Sequence, residues 1–309
     1  MLHDSPFNPV SPQAHDISNL FVATLLIMAA VVLLVTGLVL YAAIRFRARP
    51  GQAEPYQQFG LPKLEIAWTV APILLLLVLF GFTVATMNSV QPSAAQGGNL
   101  DVVGHQWWWE IRYPGTNVVT ANEIHLPVGR RMLVAVTSAD VIHDLWLPQL
   151  GGKMDLVPGQ INHMYLEADR PGTYLGACGE YCGTQHAWML IRAIAQPPAA
   201  FDAWLRGQER PALPVASGAV TDGAHLFGRL SCAACHAIFG TPYHARIGPD
   251  LSHIGSRQTL AAGLLANDAP SMAAWLRNPQ ALKPGTHMPN LYLSDQQVAD
   301  LTAYLESLK

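Results

Sequence analysis

Residues Leu20 to Ile44 run for 25 positions without a charged side chain, and Ile66 to Thr86 for a further 21. A helix that crosses the hydrocarbon core of a bilayer needs about 20 apolar residues, so each run is long enough to span. Pro72 and Gly81 interrupt the second run, and both residue types are tolerated in membrane helices. The competing reading is a pair of buried helices in a soluble protein. Charged residues make up only 13% of the chain, against about 25% in ordinary soluble domains, which favours the membrane.

The connector between the runs holds Arg45, Arg47, Arg49 and Lys63 against Glu54 and Glu65. A short loop rich in Lys and Arg stays in the cytoplasm, so both ends of the hairpin face outward. Everything after about residue 90 is then expected outside the cytoplasm. Met1 to Asn19 carries Asp4 and Asp16 and no Lys or Arg, unlike the cationic start of a cleaved signal peptide. The net charge of −3 excludes nucleic acid as an expected partner.

The pattern along the chain suggests a segment 1–95 with spans at about 18–44 and 65–87, a β domain over 96–198, a linker over 199–219 and a helical domain over 220–309. Gln91 to Gly98 and Arg210 to Gly218 are rich in Pro, Gly and small polar residues and read as linkers. Asp101-Val-Val, Asn117-Val-Val-Thr, Arg131 to Thr137, His163 to Glu167 and Gly172-Thr-Tyr-Leu are short runs rich in β-branched or aromatic residues. Pro and Gly punctuate them, as in a small sandwich or barrel. Phe201 to Gln208 reads as a short helix. Ser294-Asp-Gln-Gln297 is a capping box, and Val298, Leu301, Leu305 and Leu308 follow at helical spacing.

All four cysteines fall in two motifs. In Cys178-Gly-Glu180-Tyr-Cys182-Gly-Thr-Gln-His186-Ala-Trp-Met189, two thiols, an imidazole and a thioether sit within twelve residues. Thiolates and thioethers select copper, and imidazole suits it. A single blue copper uses one Cys; a second thiol four residues away allows two sulfurs to bridge two copper ions. Each ion then needs one histidine, His186 and an upstream partner. His143, in Asp140-Val-Ile-His143, is the expected partner, with His105, His125 and His163 as competitors. Met189 and a backbone carbonyl such as that of Glu180 would be weak outer ligands. A tetrahedral structural zinc and a Cys178–Cys182 disulfide are the alternatives.

Cys232-Ala-Ala-Cys235-His236 has the pattern of c-type haem attachment: two thioethers to the haem and His236 as axial ligand. A thioredoxin-like site opens a βαβ unit, and none is legible here. Met288, before Pro289, is the expected sixth ligand, and Met/His ligation raises a haem potential. Met272 lies in a helical stretch, Ser271 to Arg277, and reads as core; His287 is the other candidate ligand.

Gly104-His-Gln-Trp-Trp-Trp-Glu110, Asp140 to His143, Leu150-Gly-Gly-Lys-Met-Asp-Leu-Val-Pro-Gly159 and the Cys178–Met189 loop resemble subunit II of haem-copper cytochrome c oxidases, over roughly residues 15 to 195. Residues 220 to 309 resemble a class I cytochrome c, through Gly223 to Phe227, the haem motif, Ile247-Gly-Pro-Asp-Leu251 and the closing helix. Oxidases with a cytochrome c domain fused to subunit II form a known subgroup, which this chain resembles.

The resemblance implies a multidomain membrane protein: a two-helix transmembrane hairpin, an all-β cupredoxin domain and an all-α class I cytochrome c domain. It implies a binuclear copper A centre held by His143, Cys178, Glu180 through its carbonyl, Cys182, His186 and Met189. It implies a covalent haem c on Cys232 and Cys235 with His236 and Met288 as axial ligands, and Pro249 orienting His236 through its carbonyl. The Glu180 carboxylate would reach a magnesium ion shared with subunit I. Trp107 matches the residue through which electrons enter, followed here by Trp108 and Trp109 where many relatives have Trp-Tyr-Trp. Packing is the competing role for these tryptophans. Glu65 matches the mouth of a proton path, against a simple solvated acid at a membrane boundary.

The implied activity is electron transfer from haem c to copper A and on to subunit I, which reduces dioxygen to water with proton translocation. The oxygen chemistry itself has no site in this chain. The implied partners are subunits I and III, membrane lipid, and an electron donor such as a cytochrome c or a quinol–cytochrome c reductase complex. The implied location is the bacterial inner membrane, multi-pass, with the copper and haem domains on the periplasmic side. The alternatives are the electron-input part of a nitrogen-oxide reductase, whose known members with this loop are soluble and larger, and a copper-delivery protein, which needs no haem. A quinol oxidase subunit II keeps the hairpin and lacks both metal sites.

Overall fold

The computed structural model describes residues 5–54, 56–92, 98–212 and 218–309. The expected linkers at 91–98 and 210–218 lie partly outside these residues, at 93–97 and 213–217. The chain divides into a unit of His15–Val90 and a second formed by Met1–Ala14 with Gln91–Lys309.

The first unit is helical. Helix α1 spans Pro12–Arg45 and α2 spans Pro62–Val90. Leucine, valine and phenylalanine side chains stand exposed along both, a surface that suits lipid rather than water. Their hydroxyls are satisfied locally: Thr24, Thr69 and Thr83 each donate to the carbonyl four residues back, as a bilayer without water demands. Both helices start earlier than the apolar runs. Hydropathy marks the hydrocarbon-facing part only; a helix of 34 residues is about 50 Å long at 1.5 Å per residue and outruns the bilayer core.

In the second unit ten strands form two five-stranded sheets: β1 (Leu100–His105), β2 (Trp108–Arg112), β3 (Val119–Ala121), β4 (Glu123–Pro127), β5 (Met132–Ser138), β6 (His143–Trp146), β7 (Met154–Leu156), β8 (Asn162–Leu166), β9 (Gly172–Cys178) and β10 (Leu190–Gln196). The sheet orders are β3-β2-β1-β5-β8 and β4-β10-β9-β6-β7. The pairs β1–β5 and β4–β10 are parallel; the rest are antiparallel. On β5, Met132, Val134 and Val136 alternate inward, the period of two that a strand imposes. They meet Ile124, Leu145, Ile191 and Ala193 of the other sheet in one core. This is the cupredoxin-like sandwich that the resemblance implies. The N-terminal approach is pinned to it: Ser11 Oγ donates to Leu150 O at 2.6 Å and Val10 N to Gln149 O at 2.8 Å.

Helix α3 (Pro198–Gln208) follows β10 and extends the expected 201–208 helix by its Pro198 start. The haem-motif domain contains α4 (Gly218–Arg229), the two-residue strands β11 (Thr259–Leu260) and β12 (Leu265–Ala266), α5 (Ala269–Arg277), α6 (Pro279–Leu282) and α7 (Asp295–Ser307). Its core joins Phe227, Met272, Leu276, Leu301, Tyr304 and Leu305. Helices α4 and α7 cross so closely that a Cβ on Gly223 would lie 2.1 Å from the Asp300 carbonyl oxygen, so only glycine fits there. The capping box forms: Gln297 N donates to Ser294 Oγ at 3.3 Å and Ser294 N to Gln297 Oε1 at 2.9 Å.

Candidate functional site

His143 opens β6, Cys178 closes β9, and β7 and β8 lie between them in sequence. The second sheet pairs β6 with β9, which brings the histidine to the loop that follows Cys178. Cys178 Sγ lies 3.8 Å from Cys182 Sγ, 3.9 Å from His143 Nδ1 and 3.1 Å from the Glu180 carbonyl oxygen. Cys182 Sγ lies 3.7 Å from His186 Nδ1 and 3.8 Å from Met189 Sδ. Each sulfur therefore has its own histidine. Both cysteines are free thiols. His143 Nδ1 and the two sulfurs lie within 4.8 Å of one another, a group that His186 does not join.

The orientation of His143 is set from outside. Asp140 Oδ1 lies 2.8 Å from its Nε2, which puts the proton there and leaves the Nδ1 lone pair facing Cys178. Asp140 is itself held by N–H donors from Gln106 at 2.7 Å and Val141 at 2.7 Å. Burial alone would raise the Asp140 pKa; these bonds and His143 overcome it and hold the carboxyl below its ordinary value. The ring is fully buried and lies over Gly104, where a Cβ would come 2.7 Å from His143 Cδ2. The Cys182 thiol, donating to Cys178, favours the Cys178 thiolate; that charge and burial push the Cys182 thiol up.

In the haem motif, His236 Nδ1 donates to the Pro249 carbonyl at 2.7 Å, so Nε2 carries the free lone pair. Burial pushes the His236 pKa down, against the Pro249 bond. The ring lies over Gly248, where a Cβ would come 2.5 Å from His236 Cε1. A cavity of about 310 Å³ is lined by Cys232, Cys235, His236 and Met288. Met288 is fixed through its main chain, whose carbonyl accepts from Gln280 Nε2 at 2.9 Å. Met272 is buried in the core and also reaches this cavity. Arg257, another lining residue, is half-buried, and its buried Nε is unpartnered among the described residues.

The tryptophan run divides by role. Trp107 Nε1 donates to the Cys182 carbonyl at 2.9 Å, and its ring lies 4.8 Å from that of His287. Trp108 is buried against Ala121 and Ala262 and lines the haem-motif cavity. Trp109 is core and packs edge-on to His143 at 6.1 Å. The competing histidines lie elsewhere: His105 stacks on Trp108 and contacts Glu110, His125 stacks on Trp204, and His163 faces Ala135 across β8–β5. The Glu180 side chain is exposed. Glu65, in the hairpin unit, accepts the Leu61 N–H at 2.9 Å and so closes the first turn of α2.

Gly104, Asp140, Gly248 and Arg257 were not assignable roles from sequence. Only Asp140 left a signal there, an acid three residues before a candidate ligand.

The family model described as cytochrome c oxidase subunit II, periplasmic domain, matches residues 116–195; that for its transmembrane domain matches 7–84, and the cytochrome c model matches 220–309. The cytochrome c oxidase subunit 2 of Alkalihalophilus pseudofirmus is 36% identical over 98% of this chain and 90% of its own length. The chain belongs to the cytochrome c oxidase subunit II family. Another relative, the cytochrome c oxidase subunit 2 of Bacillus sp. (strain PS3), is 34% identical over 85% of this chain and 80% of its own length. The solved periplasmic domain of cytochrome oxidase subunit II (CoxB) of Bradyrhizobium japonicum is 31% identical over 35% of this chain and 91% of that domain, with a TM-score of 0.34. As a subunit II with a cytochrome c domain, the chain is a component of an oxidoreductase complex with an electron-transfer role. It is a membrane protein whose β domain lies outside the membrane.

Proposed function

We propose that this subunit II carries electrons from a covalent haem c to a binuclear copper A centre, and from there to subunit I for reduction of dioxygen to water with proton translocation. The observation that carries the reading is the pairing at the loop: two thiols 3.8 Å apart, one with His143 at 3.9 Å and the other with His186 at 3.7 Å. A tetrahedral zinc with bonds of about 2.0–2.3 Å needs all four donors within mutual reach of one centre, and His186 stands outside the 4.8 Å group of the other three. Met189, at 3.8 Å from Cys182, adds a soft donor that zinc has no use for.

The residues fit both groups. His143, Cys178, Cys182, His186, Met189 and the Glu180 carbonyl would hold copper. Cys232, Cys235, His236 and Met288 would hold the haem, and the buried, unpartnered Nε of Arg257 suits one of its carboxylates. When bound, the copper pair and the haem supply reversible one-electron carriers. The chain's own part is to fix their surroundings. Asp140 and Pro249 hold the tautomers of His143 and His236, the outer hydrogen bonds that orient ligating histidines. Gly104 and Gly248 leave room for the two rings. Trp107 links the Cys182 carbonyl to the haem-motif domain and serves as the electron entry. The exposed Glu180 carboxylate is suited to a magnesium ion whose other ligands come from subunit I. Glu65 serves proton uptake, released from its Leu61 contact.

The domains are proposed as 1–95, 96–198, a linker 199–219 and 220–309. The setting is the bacterial inner membrane, with these domains on the periplasmic side, beside subunits I and III. The donor is a cytochrome c or a quinol–cytochrome c reductase complex. Stopped-flow mixing of the oxidised oxidase with a reduced one-electron donor tests the order: the haem absorption changes first and the copper absorption follows at a rate independent of donor concentration. Copper reduction that ignores the state of the haem overturns it.

A further inference from the structure

Lys283 is a buried charge beside the copper loop that the proposed function leaves unexplained. It follows α6 in the haem-motif domain, five residues before Met288, and is 3% exposed. Its ammonium meets no carboxylate among the described residues. It donates instead to three main-chain carbonyls: Trp188 at 3.0 Å, Ala261 at 3.1 Å and Trp107 at 3.4 Å. Lysine has three donors and no acceptor, so its capacity is used in full. Trp188 lies between His186 and Met189 of the copper loop, and Trp107 is the tryptophan bonded to Cys182. One side chain thus ties the loop carrying Met288 to the loop carrying the copper ligands.

A second buried charge reaches the opposite way. Glu123, on β4 of the β domain, is 1% exposed. Its carboxylate accepts from Gln258 N at 2.8 Å, Thr259 N at 2.9 Å and Thr259 Oγ1 at 3.1 Å. Between these anchors the turn after β11 holds Ala261 and Ala262 at φ 53° and 60°, a left-handed region that alanine avoids. In that conformation the Ala261 carbonyl faces Lys283, and the Ala262 carbonyl accepts the Leu190 N–H at 3.2 Å. Gly285 completes the fit: a Cβ there would lie 3.0 Å from Thr184 Cγ2.

Burying a charge in a contact is costly unless it is well hydrogen-bonded. Apolar packing of Trp108 on Ala262 supplies attraction without direction. The two charges supply direction, because a rotated or slid domain leaves each without its carbonyls or N–H groups, and charge complementarity fixes register in this way. Burial lowers the Lys283 pKa to about 8.

Resting on the proposed electron relay, we infer that Lys283 and Glu123 are positioning residues that lock the haem domain onto the copper domain in a single pose, with the Met288 loop against Trp107 and the copper loop. The transfer served by this pose moves one electron from reduced haem to oxidised copper pair; no bond is made or broken, and Lys283 exchanges no proton. The cytochrome domain is then a fixed part of the relay rather than a tethered shuttle that must find its site at each turnover.

The test uses Lys283→Met in the intact oxidase complex with both centres loaded. Pulsed EPR reads the distance distribution between oxidised haem and oxidised copper pair, and photoreduction of the haem reads the onward transfer rate. Wild type is expected to show one narrow distance and a rate independent of solvent viscosity. Each hydrogen bond from a charged donor is worth roughly tenfold in the docking equilibrium. Lys283→Met should therefore broaden the distances, slow transfer by about tenfold or more and make it viscosity-dependent. An unchanged distance distribution and rate overturns the inference. Glu123→Ala, which alters neither ligand loop, is subject to the same readouts should Lys283→Met fail to take up its cofactors. A wild-type protein without a copper signal instead marks failure of the relay reading itself.

Discussion

Replacing Gly104 by alanine sets a methyl group against the ring that the proposed copper centre depends on. The new Cβ would lie 2.7 Å from His143 Cδ2, 3.0 Å from His143 Cγ and 3.2 Å from Leu156 Cδ2. Ordinary carbon contacts begin near 3.5 Å, so the ring must retreat by about 0.8 Å. The backbone adds no strain, because Gly104 is not among the residues with positive φ. Retreat is opposed on two sides: Trp109 packs edge-on to the ring, and Asp140 holds Nε2 at 2.8 Å. Overpacking of this kind costs about 1–3 kcal/mol, and each kcal/mol lowers Tm by about 4–8 °C in a domain of roughly 100 residues. Calorimetry of the metal-free protein should show that fall. The copper-loaded protein should show an altered EPR spectrum, because His143 Nδ1 has moved relative to Cys178. A lowered Tm with an unchanged copper spectrum removes His143 from the ligand set. No change in either refutes the steric reasoning.

Cys178→Ser or Cys182→Ser should abolish the paired copper site, seen as loss of two coppers per chain by metal analysis; a full copper complement in either variant contradicts the bridging role. Gly248→Ala places a Cβ 2.5 Å from His236 Cε1 and should disturb the axial histidine, read as a shifted haem potential with both thioethers intact. At Glu110, burial favours the neutral form, but hydrogen bonds from His105 and Arg112 win and lower the pKa from 4.5 to about 2. A depressed carboxyl stabilises the fold above its unfolded value and loses that contribution as pH falls through the folded one. Glu110→Gln should therefore lower Tm at pH 7 and flatten the loss of stability between pH 4.5 and about 2; parallel pH profiles for variant and wild type contradict the assignment.

The candidate metal and haem residues could be singled out in the sequence because their chemistry is local. A twelve-residue loop concentrates soft donors, and the Cys-x-x-Cys-His pattern places three cofactor-binding side chains on one turn. His143 was singled out at one remove, by its spacing of 35 residues before Cys178, and the structure brings it to that sulfur. Strand β2 was not, because Trp107-Trp-Trp109 hides the alternation: Trp108 faces the domain contact while Trp109 faces the core. Strand β4 was masked by Glu123 and Pro127, residues depleted in strands. Glu123 is there to reach across to Gln258 and Thr259, a partner 135 residues away. Lys283 was silent for the same reason, since a lone lysine before Pro284 reads as solvated surface. Ring clearances at Gly104 and Gly248 depend on which side chain the fold brings overhead, and no local pattern encodes that.

The most direct test of the relay is metal analysis with EPR spectroscopy on the full chain. The account predicts two coppers per haem and hyperfine structure from one unpaired electron shared over two copper nuclei, a pattern that Cys178 and Cys182, 3.8 Å apart, are arranged to support. Zinc at the site, or the spectrum of a single isolated copper, would contradict it.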